Sequence, residues 1–158
     1  METIQQWKLS RMSTMSNLKR LEEAQWDIQP PGFNNTIRWN AGHNFVIVET
    51  FLEPEIDGYE IVHPEWVPLF EDGTRPADWE GDVPTSDDIR SALREQVNRI
   101  SEQIEGNLDV KLNKPLIIGN NVMQIDTLEG MIQFLSWHDG MHAGIINALG
   151  KITATMVE

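Results

Sequence analysis

One line of side chains near the C-terminal end constrains the fold more than any other feature of the sequence. Its positions are separated by alternating steps of three and four: Leu128, Met131, Leu135, His138, His142, Ile145 and Leu149. That spacing places all seven side chains on one face of an α-helix. We therefore predict a helix over Thr127–Leu149 that packs this face against other helices, with both histidines in the buried line.

Three further segments have helical periodicity and complete a set of four helices. They are Thr3–Ala24, Asn35–Leu52 and Ser86–Glu105. The first ends before the paired prolines of "QPPG", which cannot continue a helix. Capping boxes are predicted at two helix starts, and a glycine is well placed to end the last helix. These capping predictions concern Thr85 with Asp88, Asp126 with Glu129, and Gly150.

The segments between the helices differ in length and composition. Residues 53–84 contain five of the eight prolines together with Tyr59, Trp66 and Trp79, so we expect a long connection that packs onto the helices. Residues 107–126 have Gly-Asn-Asn between apolar runs, which allows either a short hairpin or an ordered loop. We predict an all-α protein, a four-helix bundle forming one domain over residues 1–158.

Composition excludes several classes of function. The net charge is −13 with only 12 basic residues and no basic patch, so no nucleic-acid partner is expected. The chain has no cysteine, which excludes disulfides, thiolate metal ligands and a cysteine nucleophile. Any thiol chemistry would need a small-molecule thiol. No apolar run is long enough to span a membrane, and we expect a cytoplasmic protein.

The two histidines of the last helix predict a metal site. Residues four apart lie on adjacent turns of one face, so the imidazoles of His138 and His142 point to a common place. His43 lies on the predicted second helix, also on a face that includes apolar residues. Three buried histidines from two helices are explained by one shared ion better than by three separate hydrogen-bonding solutions, although hydrogen bonds alone remain the alternative.

The chemistry of such a site follows from its ligands. Three histidines leave at least one coordination position open, as in catalytic zinc sites, and imidazole favours zinc or nickel, with iron possible. Asp139 follows the first histidine of the pair. We consider three roles for it: a carboxylate that holds an imidazole or a metal-bound water, a catalytic general base, or a surface group.

These motifs resemble those of the DinB-like superfamily, damage-inducible bacterial four-helix bundles that bind a metal through three histidines. The resemblance covers essentially the whole chain and is carried by "IRWNAGH" and "HDGMHAG", with "LNKPLIIGNN" before the last helix. It implies that the metal ligands are His43, His138 and His142.

The resemblance also implies possible functions and partners. Some relatives resemble thiol-dependent transferases or isomerases that use bacillithiol or mycothiol, and many are homodimers. Arg38 is the candidate for binding the carboxylates of such a thiol, and Trp39 for lining the cofactor cleft. We therefore expect a metal-dependent enzyme that activates a thiol or water for reaction with a small molecule. The alternatives are a non-catalytic metal-binding bundle, with a structural or sensing role, and a bundle without metal.

Overall fold

The computed structural model describes residues 2–157. Within that range helices dominate, and the β structure is a single two-stranded antiparallel sheet. The elements are α1 (Glu2–Leu18), α2 (Ile37–Leu52), α3 (Val67–Phe70), α4 (Ser86–Ile104), β1 (Lys111–Ile118), β2 (Met123–Thr127) and α5 (Leu128–Thr153). The predicted all-α class is therefore confirmed in outline, with a small sheet added. None of the helices in this range is long and apolar enough to cross a membrane.

The N-terminal ends of α2, α4 and α5 are fixed by threonine side chains. Thr36 Oγ1 accepts a hydrogen bond from the Trp39 backbone N–H at the start of α2. The predicted capping box of Thr85 and Asp88 is present at the start of α4. The capping box predicted from Asp126 and Glu129 was wrong, because Thr127 caps α5 instead.

The C-terminal ends of two helices also differ from the predictions. Helix α1 ends at Leu18, six residues before the predicted end at Ala24. At this end of the helix, Arg90 donates hydrogen bonds to the Leu18 and Leu21 carbonyl oxygens. These bonds satisfy carbonyl groups that a helix end leaves unpaired. Helix α5 continues through Gly150 to Thr153. The glycine serves close packing there, since a Cβ atom at Gly150 would lie 2.6 Å from Leu21 Cδ2.

The four long helices pack against one another in pairs. Helix α1 contacts α5 and α4, and α2 contacts the same two helices. The buried apolar residues form two clusters. One includes Trp26, Phe70 and Ile146, and the other includes Trp7 and Leu135. On α5, His138 and His142 lie between Leu135, which belongs to one cluster, and Ile146, which belongs to the other.

The two connections support this helical core. Trp66 and Phe70 of the long connection are buried, which confirms that this segment packs onto the helices. The segment before α5 is a hairpin, in which Ile118 pairs with Met123. Its turn contains Asn120 and Asn121 in left-handed conformations, which asparagine adopts more readily than most residues.

Two glycines of α5 provide a matched test of this packing. Replacement of Gly150 by alanine should give a free energy of unfolding roughly 1 kcal/mol or more below that of Gly144→Ala, because the new methyl group overlaps Leu21, whose side chain must move. Gly144 faces open space, and Gly144→Ala should raise the free energy of unfolding by up to about 1 kcal/mol through helix propensity. Urea denaturation measures both values. Equal effects of the two substitutions would contradict the close contact at Gly150.

Candidate metal centre

The three predicted histidines lie together between α2 and α5. One ring nitrogen from each of His43, His138 and His142 lies within 4.8 Å of the other two. The ring centroids of the α5 pair are 4.5 Å apart, and His43 lies 5.0 Å from each of them. His63 lies elsewhere, in the long connection, where its ring stacks on Trp66. The helical spacing that predicted the cluster therefore identified the three residues that meet.

The distance between two of the nitrogens fits a shared ion. His43 Nε2 and His138 Nε2 are 3.2 Å apart. Two imidazole nitrogens bound tetrahedrally to one zinc ion at about 2.0–2.1 Å are separated by about 3.3 Å. The residues present therefore suit a divalent transition metal in donor type, and this pair suits it in spacing.

Hydrogen bonds orient two of the imidazoles so that each directs Nε2 to the cluster. His43 Nδ1 donates to the Phe70 carbonyl oxygen at 2.7 Å. His142 Nδ1 donates to Asn40 Oδ1, also at 2.7 Å. The Asn40 amide is fixed in turn, because its Nδ2 donates to the Thr36 carbonyl oxygen. With the proton held on Nδ1, each Nε2 carries the lone pair that a metal requires.

Burial keeps the imidazoles neutral. It lowers the pKa of His138 to about 4 and that of His142 to about 3, and the neighbouring histidines contribute in the same direction. Burial also lowers the pKa of His43, although the Phe70 carbonyl opposes this shift. The ring nitrogens of His138 and His142 are therefore available as ligands well below neutral pH.

The surroundings of His43 depend on an aromatic contact and on a glycine. The Trp39 ring stacks on the His43 ring at 4.5 Å, with 11° between the planes. Trp39 Nε1 donates to Thr74 Oγ1, which holds the indole in place. A Cβ atom at Gly42 would lie 2.5 Å from the Phe70 ring. Glycine at this position therefore lets Phe70 approach closely enough to bind His43.

The comparison with known families agrees with this geometry. The sequence model of the DinB superfamily matches residues 6–146, which is most of the chain. The chain belongs to the DinB superfamily. No curated protein matches it. The family prediction made from the histidine motifs is thereby confirmed.

Asp139 of this DinB-superfamily chain is buried, which excludes the surface group among the three roles considered for it. Its Oδ2 pairs with Arg11 Nε at 2.8 Å. Its Oδ1 accepts hydrogen bonds from Thr14 Oγ1 and Asn44 Nδ2. These partners lie on α1 and α2 and include none of the three histidines. A catalytic role for Asp139 stays a prediction.

The predicted cofactor residues, Arg38 and Trp39, lie in different settings. Trp39 forms one wall of the histidine cluster. Arg38 is buried, and its guanidinium donates to Asp27, Glu23 and the Pro84 carbonyl oxygen. The role of Arg38 in binding a thiol cofactor stays a prediction. Its guanidinium N–H groups, which would bind the carboxylates of the thiol, already donate to these three partners.

Sequence reasoning missed several residues that support the centre. Asn40 lies three residues before His43, a helical spacing that places both on the same side of α2. Arg11 interrupts the apolar line of α1, which was the one indication of a buried charge. The Phe70 contribution comes from its backbone carbonyl, and no side-chain pattern reveals it.

The hydrogen bond from His142 Nδ1 to Asn40 Oδ1 should be needed for tight metal binding in this DinB-superfamily protein. Asn40→Ala removes the acceptor that orients His142, and loss of such a partner typically lowers metal affinity by about 10- to 100-fold. Isothermal titration with zinc measures the change. Asn147→Ala, an exposed asparagine on α5, serves as control and should bind zinc as the wild type does. Equal affinities of the two variants would contradict the assigned role.

The lowered pKa values predict how metal binding responds to pH. At pH 6, three imidazoles with the ordinary pKa near 6.5 would release roughly two protons when they bind zinc. Here His138 and His142 are already neutral at that pH and the pKa of His43 is lowered, so zinc binding should release fewer than one proton. Titration calorimetry in buffers of different ionisation enthalpy counts them. A release close to two protons would show that burial does not shift these groups.

Proposed function

We propose that this protein is a metal-dependent enzyme in which His43, His138 and His142 hold a divalent transition metal, zinc or nickel. The enzyme would activate a thiol or water for transfer or hydrolysis of a small molecule. The observation that carries the proposal is the convergence of three neutral imidazoles with no fourth protein ligand among residues 2–157. When bound, such an ion lowers the pKa of a coordinated thiol or water and polarises a carbonyl group.

The chain's own residues would orient the site and control access to it. The Phe70 carbonyl and Asn40 hold the protons of His43 and His142 on Nδ1, away from the ion. Those two rings are more than nine-tenths buried, whereas His138 is half-buried. The accessible side of the centre is therefore the side of His138.

The contacts of Asp139 reach α1 and α2 and no imidazole, so its proposed role is to fix the orientation of α5, the helix that carries His138 and His142. Its carboxylate is held by Arg11 and by two hydrogen-bond donors, which leaves it poorly placed to accept a proton from substrate. Trp39 would line the cleft. Arg38 would reach a thiol's carboxylates only after release from Asp27 and Glu23.

The absence of cysteine supports a thiol supplied from solution, such as bacillithiol or mycothiol. In the test reaction with chlorodinitrobenzene, the thiol sulfur forms a bond to the ring carbon. Chloride leaves, and the thiol proton passes to solvent. We also propose that the protein is a four-helix bundle that forms a homodimer. It would lie in the cytoplasm and would have no nucleic-acid partner.

A non-catalytic metal protein is the second candidate. The observation in its favour is that His43 and His142 are deeply buried on different helices, so that a shared ion would tie α2 to α5. In that case chelation would lower the melting temperature, and no thiol or water reaction would depend on the metal.

The enzyme proposal is tested by turnover of chlorodinitrobenzene with bacillithiol and with mycothiol, in the presence of zinc or nickel. We expect a metal-dependent rate that His138→Ala abolishes. His63→Ala removes a histidine outside the cluster and should keep that rate. A folded, metal-loaded protein that shows no metal-dependent rate with these thiols, or with ester substrates and water, would favour the non-catalytic candidate.

A further inference from the structure

The accessible side of the histidine cluster is bordered by apolar side chains. We call this set the apolar rim and define it as Ile47, Phe51, Phe134, Trp137 and Met141. Ile47 lies one turn after His43 on α2, and the α5 members lie within one turn of His138. All five side chains are half-buried or exposed, which makes the rim reachable from solvent.

The three aromatic rings of the rim form a chain of contacts that reaches the cluster. The Phe51 and Phe134 rings stack across the two helices at 6.0 Å. Phe134 also lies 5.7 Å from the Trp137 ring and 6.2 Å from the His138 ring. Trp137 is 60% exposed and Met141 is 40% exposed. Folding of the chain alone therefore leaves two large apolar groups in water beside the candidate metal ligands.

Packing of α5 against α1 does not use this surface, and Trp137 and Met141 are its exposed part. Helix α1 lies against another side of α5, where Asn17 donates to the Ala143 carbonyl oxygen and Ser10 faces Gly140. Contiguous apolar surface of this kind marks a site of interaction. Because this surface borders the accessible edge of the histidine cluster, a ligand bound to that cluster would lie against it.

The rim carries no charged side chain from either helix that forms it. Between Glu129 and Lys151, the one acidic or basic residue of α5 other than histidine is Asp139, which is buried and paired with Arg11. On α2 the charged residues are Arg38 and Glu49, both buried. In a chain with a net charge of −13, the two helices that form the rim therefore bring no exposed charge to it.

We infer that the substrate is an amphipathic small molecule. It combines an oxygen or sulfur group that binds the metal with an aromatic or branched aliphatic group that packs on Trp137, Phe134 and Met141. This inference rests on the proposed function, since it requires an open position at the metal.

Two hydroxamates that differ only in their apolar part test the inference. Acetohydroxamate and benzohydroxamate carry the same metal-binding group, and the second adds a phenyl ring. Calorimetric titration of the zinc-loaded protein should show benzohydroxamate binding about tenfold more tightly or better, the gain expected when a phenyl ring is largely removed from water. Trp137→Ala should lose most of this ratio. Leu9→Ala removes an equally exposed apolar group on α1 and should keep it.

Each result separates the inference from the function on which it rests. Similar affinities for the two hydroxamates would overturn the amphipathic substrate and leave an open metal intact. Failure of both compounds to bind while zinc stays bound would overturn the open metal and the inference together. Trp137→Ala could instead leave the ratio of the two affinities unchanged while its dimer dissociates in sedimentation and the wild-type dimer does not. That result would assign the rim to contact between two copies of the chain.

Discussion

A buried ion pair between Arg11 and Asp139 sets the orientation of the helix that supplies two candidate metal ligands. Both side chains are almost completely buried, and the charged atoms lie 2.8 Å apart. Asp139 is also bound by Thr14 on α1 and Asn44 on α2, so one carboxylate joins three helices. Removing one partner of a buried pair typically costs about 3–5 kcal/mol, because the other charge is left without compensation.

The position of that carboxylate in the sequence links it to the metal centre. Asp139 directly follows His138 and precedes His142 by three residues. When Asp139 is held toward α1, the rotation of α5 is fixed, and the two histidines face α2 together. A second chain of contacts, which begins on α2, orients His142. Thr36 caps α2 and its carbonyl oxygen accepts from Asn40, which in turn binds His142.

The sequence predicted the features that depend on local spacing. Helical periodicity identified four long helices, and the same periodicity placed His138 and His142 on one buried face. Membership of the DinB superfamily was predicted from motifs that surround the three histidines. The Thr85 capping box was predictable for a similar reason, since both of its residues lie within one helical turn.

The features that the sequence did not reveal depend on contacts between distant residues. Arg11 can be buried because it pairs with Asp139. This partner lies 128 positions later, and no local pattern contains that information. Gly150 fits the usual position of a helix-ending residue, yet its role is to admit Leu21 from another part of the chain. The Phe70 carbonyl reaches His43 because Gly42 leaves room for the ring.

The central claim is that three imidazoles share one metal ion, and X-ray absorption spectroscopy of the zinc-loaded protein tests it most directly. The account predicts three imidazole nitrogens in the first coordination shell at about 2.0–2.1 Å, with at least one further light-atom ligand from solvent. The triple variant in which His43, His138 and His142 are alanine should lose that signature. A first shell made only of oxygen atoms, or one that the triple variant retains unchanged, would contradict the account.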